Sequence, residues 1–96
     1  MTINEWCRAT TSCARDHGFV YDGNLLVPLM LIVTEAAEAA EAWRKGDDAH
    51  VPEELADIVI RTFNLAGALG IDLEGAIEAK HAHNLTRPFM HGGKRA

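Results

Sequence analysis

Apolar residues recur along this chain at the three- and four-residue spacings of an α-helix, and almost no stretch alternates as a β-strand would. We predict a first helix over residues 4–17, with Asn4 as its N-cap and Gly18 after its end. A longer second helix is predicted over residues 25–45. Pro28 is compatible with its first turn, where a backbone N–H has no partner to lose.

The rest of the chain carries clear helix start and stop signals. A third helix is predicted from Pro52, with acidic residues in its first turn, to Leu69, and Gly70 ends it. Asp72 is the expected cap of a fourth helix that reaches Leu85. Four helices joined by short loops predict an all-α, four-helix bundle.

Chain length limits how much core this bundle can bury. Ninety-six residues form one domain, expected to span residues 1–96, and a chain of this size buries only about two-thirds of its unfolded surface. Cys7 and Cys13 lie on different faces of the first helix, so a disulfide between them is not expected. The second and third helices carry more apolar surface than two short neighbours can cover. We therefore expect a homo-oligomer, with dimer and tetramer both open.

Charge and hydropathy exclude several classes of partner. The net charge is −5 and no basic cluster precedes the last ten residues, which argues against double-stranded nucleic acid. The longest apolar run, residues 25–33, is too short to cross a membrane. Free thiols and no recognisable leader predict a cytoplasmic protein. Residues 91–96 are expected to form a mobile tail.

The most informative residues are two acidic pairs, Glu35 with Glu38 on the second helix and Glu54 with Asp57 on the third. A spacing of three places both members on one helix face, about 5–6 Å apart at Cβ, where like charges repel. No basic residue stands four positions from either member of the first pair. Pairs on two antiparallel helices can converge into the all-oxygen environment that Mg²⁺ or Mn²⁺ prefers, whereas zinc favours sulfur and imidazole.

A competing interpretation treats both pairs as solvated helix faces. Small apolar neighbours around the first pair argue against it, as does the apolar run at residues 55–60 that surrounds Asp57. We expect Asp57 to be hard to hydrate and to need a partner. That partner is either a metal ion or Arg61, four residues further on, in a structural ion pair.

The order of these motifs resembles a known signature. Residues 34–44 followed by residues 53–60 resemble the ExxE…ExxD pattern of the all-α NTP pyrophosphatases, which include MazG, the dimeric dUTPases and phosphoribosyl-ATP pyrophosphatase. Lys80, Asn84 and Arg87-Pro88, with residues 91–94 after them, resemble the C-terminal motif of short MazG-like proteins. The resemblance covers residues 25–94. One departure, Ala36-Ala37 in place of a larger aliphatic residue and a glycine, alters packing behind the site rather than the ligands.

The resemblance implies a magnesium-dependent pyrophosphohydrolase that cleaves a nucleoside triphosphate between the α- and β-phosphates. The implied metal ligands are the four paired carboxylates: Glu35, Glu38, Glu54 and Asp57. The implied triphosphate contacts are Lys80, Asn84 and Arg87. We further expect either Glu35 or Glu38 to accept the proton of the attacking water. Lys94, which follows two glycines, is a further candidate phosphate contact if the tail closes over the product.

Other readings of the same residues stay open. Trp6, Tyr21, Trp43 and Phe89 are candidates for stacking on the base, although aromatic residues in bundles more often belong to the core. A di-iron bundle needs Glu-x-x-His on two helices, and neither Glu35 nor Glu54 has a histidine three residues later. A non-catalytic helical module could use the acidic face to bind a basic partner. The sequence leaves base, sugar and metal number open.

Overall fold

The computed structural model describes residues 1–89, and this part of the chain forms four α-helices and no strand. They are α1 (Ile3–Asp16), α2 (Leu26–Arg44), α3 (Val51–Leu69) and α4 (Leu73–Leu85), with one 3-10 turn (Asp48–His50) before α3. The all-α, four-helix prediction is confirmed, and the helix ends agree to within two residues. The expected mobile tail and Lys94 lie outside the described residues.

The start of α1 differs from its prediction. Thr2, not Asn4, is the N-cap, because its hydroxyl accepts from the Glu5 N–H at 3.1 Å while the Glu5 carboxylate accepts from the Thr2 N–H at 3.0 Å. This reciprocal capping box satisfies two backbone donors at once. Asn4 instead lies in the first turn and ties α1 to α4. Its side chain donates to Asp72 at 2.8 Å and accepts from the Glu74 N–H at 3.1 Å.

Three local signals act as the sequence predicts. Pro52 lies in the first turn of α3, and Gly70 ends that helix in the left-handed conformation, with φ of 67°. Asp72 caps α4 by accepting from the Gly75 N–H at 3.0 Å. The tight turn at Gly70 and the cap at Asp72 leave almost no loop between α3 and α4.

Helix α3 is the central element, because both α1 and α2 pack mainly on it. The Thr11 hydroxyl of α1 donates to the Asn64 carbonyl of α3 at 3.1 Å, whereas Asn4 reaches the turn after α3. These contacts show that α1 runs antiparallel to α3. Helix α4 packs less extensively, and against α1.

The described chain buries very little by itself. Its buried apolar residues are Cys7 and Ala66, both at the α1–α3 contact. The radius of gyration is 16.0 Å, whereas a compact domain of this length has about 12.5 Å. Large apolar side chains on two helices stay more than two-fifths exposed: Leu26, Leu29, Met30 and Val33 on α2, and Leu55 and Val59 on α3. No helix within residues 1–89 combines the length and apolarity needed to span a membrane.

Gly67 makes the closest approach of α1 to α3. A Cβ atom there would lie 2.6 Å from the Cys7 carbonyl oxygen and would overlap the Thr11 hydroxyl. The carbonyl belongs to helix backbone, so it cannot turn away as a side chain would.

We expect Gly67→Ala to destabilise the fold. The gain in helix propensity is about 1 kcal/mol, and the forced separation of two packed helices costs about 1–3 kcal/mol. Thermal unfolding followed by circular dichroism should therefore give a lower Tm than the wild type, whereas Glu53→Ala on the exposed face of α3 should change it little. An unchanged or higher Tm for Gly67→Ala would mean that the α1–α3 contact is looser than described.

Candidate functional site

Three of the four predicted metal ligands converge where α2 crosses α3. Glu35, Glu38 and Glu54 each place one carboxylate oxygen so that all three oxygens lie within 4.8 Å of one another. Glu35 and Glu38 share a face of α2 through their spacing of three, and antiparallel packing brings Glu54 of α3 to them. Oxygen ligands lie about 2.1 Å from Mg²⁺, so adjacent octahedral ligands are about 3.0 Å apart and opposite ligands about 4.2 Å apart. The three oxygens would therefore draw together to share one ion.

Glu54 has a buried oxygen without a partner. Its Oε2 atom is inaccessible to solvent and accepts no hydrogen bond from any described residue. Burial raises the pKa of Glu54, and the negative charges of Glu38, Glu35 and Asp57 raise this pKa further. A buried acceptor left unpaired costs free energy, which a divalent cation at this position would recover. The donor set and this unpaired oxygen fit a hard metal ion.

Glu35 is the most buried member of the cluster, and an arginine holds it. The residue is 7 % exposed, and Nε of Arg61 donates to its Oε1 at 2.7 Å. This hydrogen bond from the guanidinium lowers the pKa of Glu35 despite burial. The sequence interpretation paired Arg61 with Asp57 on the same helix as the alternative to a metal. That pairing is wrong, because the antiparallel register of α2 places Glu35 within reach of Arg61.

Asp57, the fourth predicted ligand, does not join the group of three. Its side chain is exposed in the single chain, so the expectation that it is hard to hydrate is wrong. The reason is that Leu55, Val59 and Ile60 beside it are themselves more than two-fifths exposed. Asp57 lines the same cavity as Glu35 and Arg61.

The predicted triphosphate contacts on α4 lie elsewhere in the single chain. Lys80, Asn84 and Arg87 are exposed. None of the residues that line the two cavities beside the carboxylates comes from α4. The structure therefore does not bring these three side chains to the carboxylates within one chain.

A large open cavity adjoins the carboxylates. Its volume is about 1090 Å³, which suits a ligand of nucleotide size. Glu35, Asp57 and Arg61 stand on its wall, together with Trp6 of α1 and Tyr21 of the α1–α2 connector. Two of the four aromatic residues proposed from the sequence thus line the cavity, and Trp43 and Phe89 do not. The sequence analysis missed Phe19, another lining residue, because the connector carries no recognisable motif.

A smaller depression lies on the other side of the cluster. Its volume is about 340 Å³, and Glu38 and Glu54 line it with Lys45 and His50. A hydrogen bond at 2.7 Å to the Asp47 carboxylate raises the pKa of His50. Nothing in the sequence spacing of His50 indicated that the turn before α3 would place it beside the acidic cluster.

We expect Glu54→Gln to raise the Tm of the metal-free protein at pH 7. A carboxyl group whose folded-state pKa exceeds its unfolded value destabilises the fold once pH is high enough to ionise it, and a neutral amide removes that effect. In chelator, Glu54→Gln should melt above the wild type, most clearly at pH 7 and least near pH 4. Added Mn²⁺ should raise the wild-type Tm more than that of the variant.

Glu53→Gln, one residue earlier and exposed, is the matched control and should respond to Mn²⁺ as the wild type does. An equal Mn²⁺-induced rise in Tm for Glu54→Gln would show that Glu54 is not a ligand.

Comparison with known protein families gives one match. The MazG-like family model matches residues 30–95 of the chain, a span that takes in Glu35, Glu38, Glu54, Asp57 and the C-terminal segment. No curated protein and no solved structure matches the chain.

Proposed function

Because this chain belongs to the MazG-like family, we propose that it is a magnesium-dependent nucleoside triphosphate pyrophosphohydrolase. It cleaves a (d)NTP between the α- and β-phosphates and releases the monophosphate and pyrophosphate. The observation that carries the proposal is the convergence of Glu35, Glu38 and Glu54 around a buried carboxylate oxygen that has no partner among residues 1–89. Residues 1–96 act as one catalytic domain.

Glu35, Glu38 and Glu54 would hold the Mg²⁺, with Asp57 as the fourth ligand from the next turn of α3; Mn²⁺ fits the same oxygens. When bound, the ion neutralises charge on the phosphate oxygens and acidifies a water molecule. Asp57 lines the same cavity as Glu35, and its side chain would have to turn toward the other three carboxylates to become a ligand.

Glu38 is the better placed of the two expected proton acceptors. Glu35 Oε1 is occupied by Arg61, which lowers the pKa of Glu35 and makes it a weak base. Glu38 is exposed and forms no ion pair with a basic side chain among residues 1–89. We therefore assign acceptance of the water proton to Glu38 and orientation to Glu35.

The nucleoside part of the substrate occupies the large cavity. Trp6 and Tyr21 offer aromatic faces for the base on the wall that α1 and the connector build. We place the triphosphate along Glu35, Asp57 and Arg61 on the wall of the same cavity. The base and sugar preference follow from cavity residues that carry no family motif.

The protein acts as a homo-oligomer. Its accessible surface is 7365 Å², whereas a compact monomer of 10.5 kDa exposes about 5400 Å². The excess of about 2000 Å² exceeds the ~800 Å² that each partner buries in a standard interface. The uncovered apolar faces of α2 and α3 supply this surface. In such an oligomer, Lys80, Asn84 and Arg87 of one chain could contact a triphosphate bound at the carboxylates of another. Free Cys7 and Cys13 suit a cytoplasmic location.

Incubation of the protein with each (d)NTP and Mg²⁺ should yield the monophosphate and pyrophosphate. We expect Glu38→Gln to lower kcat by about 10²-fold or more, because the variant loses both a ligand and the proton acceptor. Glu41→Gln is the matched control, since Glu41 lies one turn further along α2 in ion pairs with Arg44 and Lys45. Anion-exchange chromatography resolves the products.

Two results would contradict this assignment. Orthophosphate as the product places the cleavage elsewhere, and near-normal turnover by Glu38→Gln removes Glu38 from the reaction. Absence of any product with all (d)NTPs favours a module whose acidic face binds a basic partner.

We expect Val33→Glu to break the oligomer. Val33 is 55 % exposed at the middle of the apolar face of α2, and a charge buried in an interface without a partner is costly. Light scattering should give a mass of two or more chains for the wild type and a lower mass for the variant. Leu85→Glu, at an apolar residue on α4 that is 74 % exposed, should keep the wild-type mass. A monomeric wild type would refute the oligomer.

A further inference from the structure

Arg61 uses only part of its hydrogen-bonding capacity. Its Nε atom donates to Glu35 Oε1 at 2.7 Å, and neither terminal nitrogen donates to any residue within 1–89. Arg44 provides the contrast, because both Nε and a terminal nitrogen bind the two Glu41 oxygens at 2.9 and 2.7 Å. A guanidinium carries five N–H donors in a planar fork, so most of the donors of Arg61 are free for another acceptor.

The position of these free donors is defined by their surroundings. The Arg61 side chain is 40 % exposed, whereas that of Glu35 is 10 % exposed, so the carboxylate anchors the arginine from the buried side. Arg61 also lines the large cavity together with Asp57. Its free nitrogens therefore belong to a side chain that both contacts the carboxylate cluster and lines the space assigned above to the substrate.

The charge of the cluster favours a cationic side chain beside it when an anionic ligand binds. Glu35, Glu38 and Glu54 lie within 4.8 Å of one another, and Asp57 stands on the same cavity wall. A triphosphate approaching these carboxylates meets strong repulsion. Arg61 is the cationic side chain in direct contact with the cluster among the described residues, and its planar fork matches the spacing of phosphate oxygens.

We propose that Arg61 binds a phosphate oxygen of the substrate through its terminal nitrogens while its Nε remains bonded to Glu35. The arginine then couples a metal ligand to the polyphosphate and fixes the distance between them. This role rests on the proposed function for its substrate class, and it adds a residue that neither acidic pair nor the C-terminal segment contains. A lysine cannot replace the arginine, because one ammonium cannot hold the fork geometry toward both acceptors.

A purely structural ion pair is the competing explanation, and two binding measurements separate the two. Titration with Mn²⁺ alone, followed by electron paramagnetic resonance, measures the affinity of the carboxylate cluster for the metal ion. Inorganic triphosphate, titrated by calorimetry in saturating Mn²⁺, reports phosphate binding and needs no turnover. Arg61→Lys and Arg61→Gln are the variants, and Arg44→Lys at the Glu41 pair is the control.

We expect both Arg61 variants to bind inorganic triphosphate about tenfold or more weakly, since charge-assisted hydrogen bonds are lost. Mn²⁺ binding by Arg61→Lys should stay within about twofold, and Arg61→Gln should bind Mn²⁺ as tightly as the wild type or more tightly, because a positive charge beside the ligands is removed. The KM for the preferred (d)NTP should rise with the loss of triphosphate binding. Arg44→Lys should match the wild type in each measurement.

Triphosphate binding unchanged in both variants would overturn the proposal. A parallel loss of Mn²⁺ and triphosphate affinity in both would also overturn it, because Arg61 would then only arrange Glu35. If one Arg61 variant fails to fold, the binding measurements on the other variant still test the proposal. Weaker triphosphate binding by the variants, in a protein that releases no pyrophosphate from any (d)NTP, would retain Arg61 as a phosphate ligand and reject the proposed reaction.

Discussion

The antiparallel packing of α2 on α3 is the constraint on which the rest of the structure depends. It places carboxylates from two helices side by side, although like charges at this distance repel. One arginine compensates part of this charge by bonding Glu35 at 2.7 Å, and a buried oxygen of Glu54 stays without a donor among the described residues. The protein itself therefore neutralises only part of the negative charge of the three carboxylates, and this residual charge favours binding of a cation.

The hydrophobic core and the acidic cluster draw on the same helix in this chain. Helix α3 uses one side to pack α1 closely at Gly67 and another to present Glu54 and Arg61, which leaves little surface for a core. The result is a protein whose buried apolar residues are confined to the α1–α3 contact. A metal at the acidic cluster and a second chain over the apolar faces would each contribute what a small core cannot.

Local signals made most of the fold predictable from sequence. Gly70 and Asp72 end one helix and begin the next through backbone preferences that depend on few neighbours. Asn4 was misassigned because Thr2 and Glu5 form a capping box, a signal present in the sequence but overlooked. The ion-pair partner of Arg61 could not be predicted from the sequence, since it depends on the register of two helices rather than on spacing within one.

The exposure of Asp57 could not be predicted for a related reason. Burial in a helical bundle depends on which neighbouring helices pack over a residue.

The most direct test of the account is the anomalous scattering of Mn²⁺ in crystals of the protein. We predict a peak at the crossing of α2 and α3, with oxygens of Glu35, Glu38 and Glu54 about 2.0–2.3 Å from it. Protein crystallised with Mn²⁺ that shows no peak there, with those carboxylate oxygens directed apart into solvent in every assembly, would contradict the account.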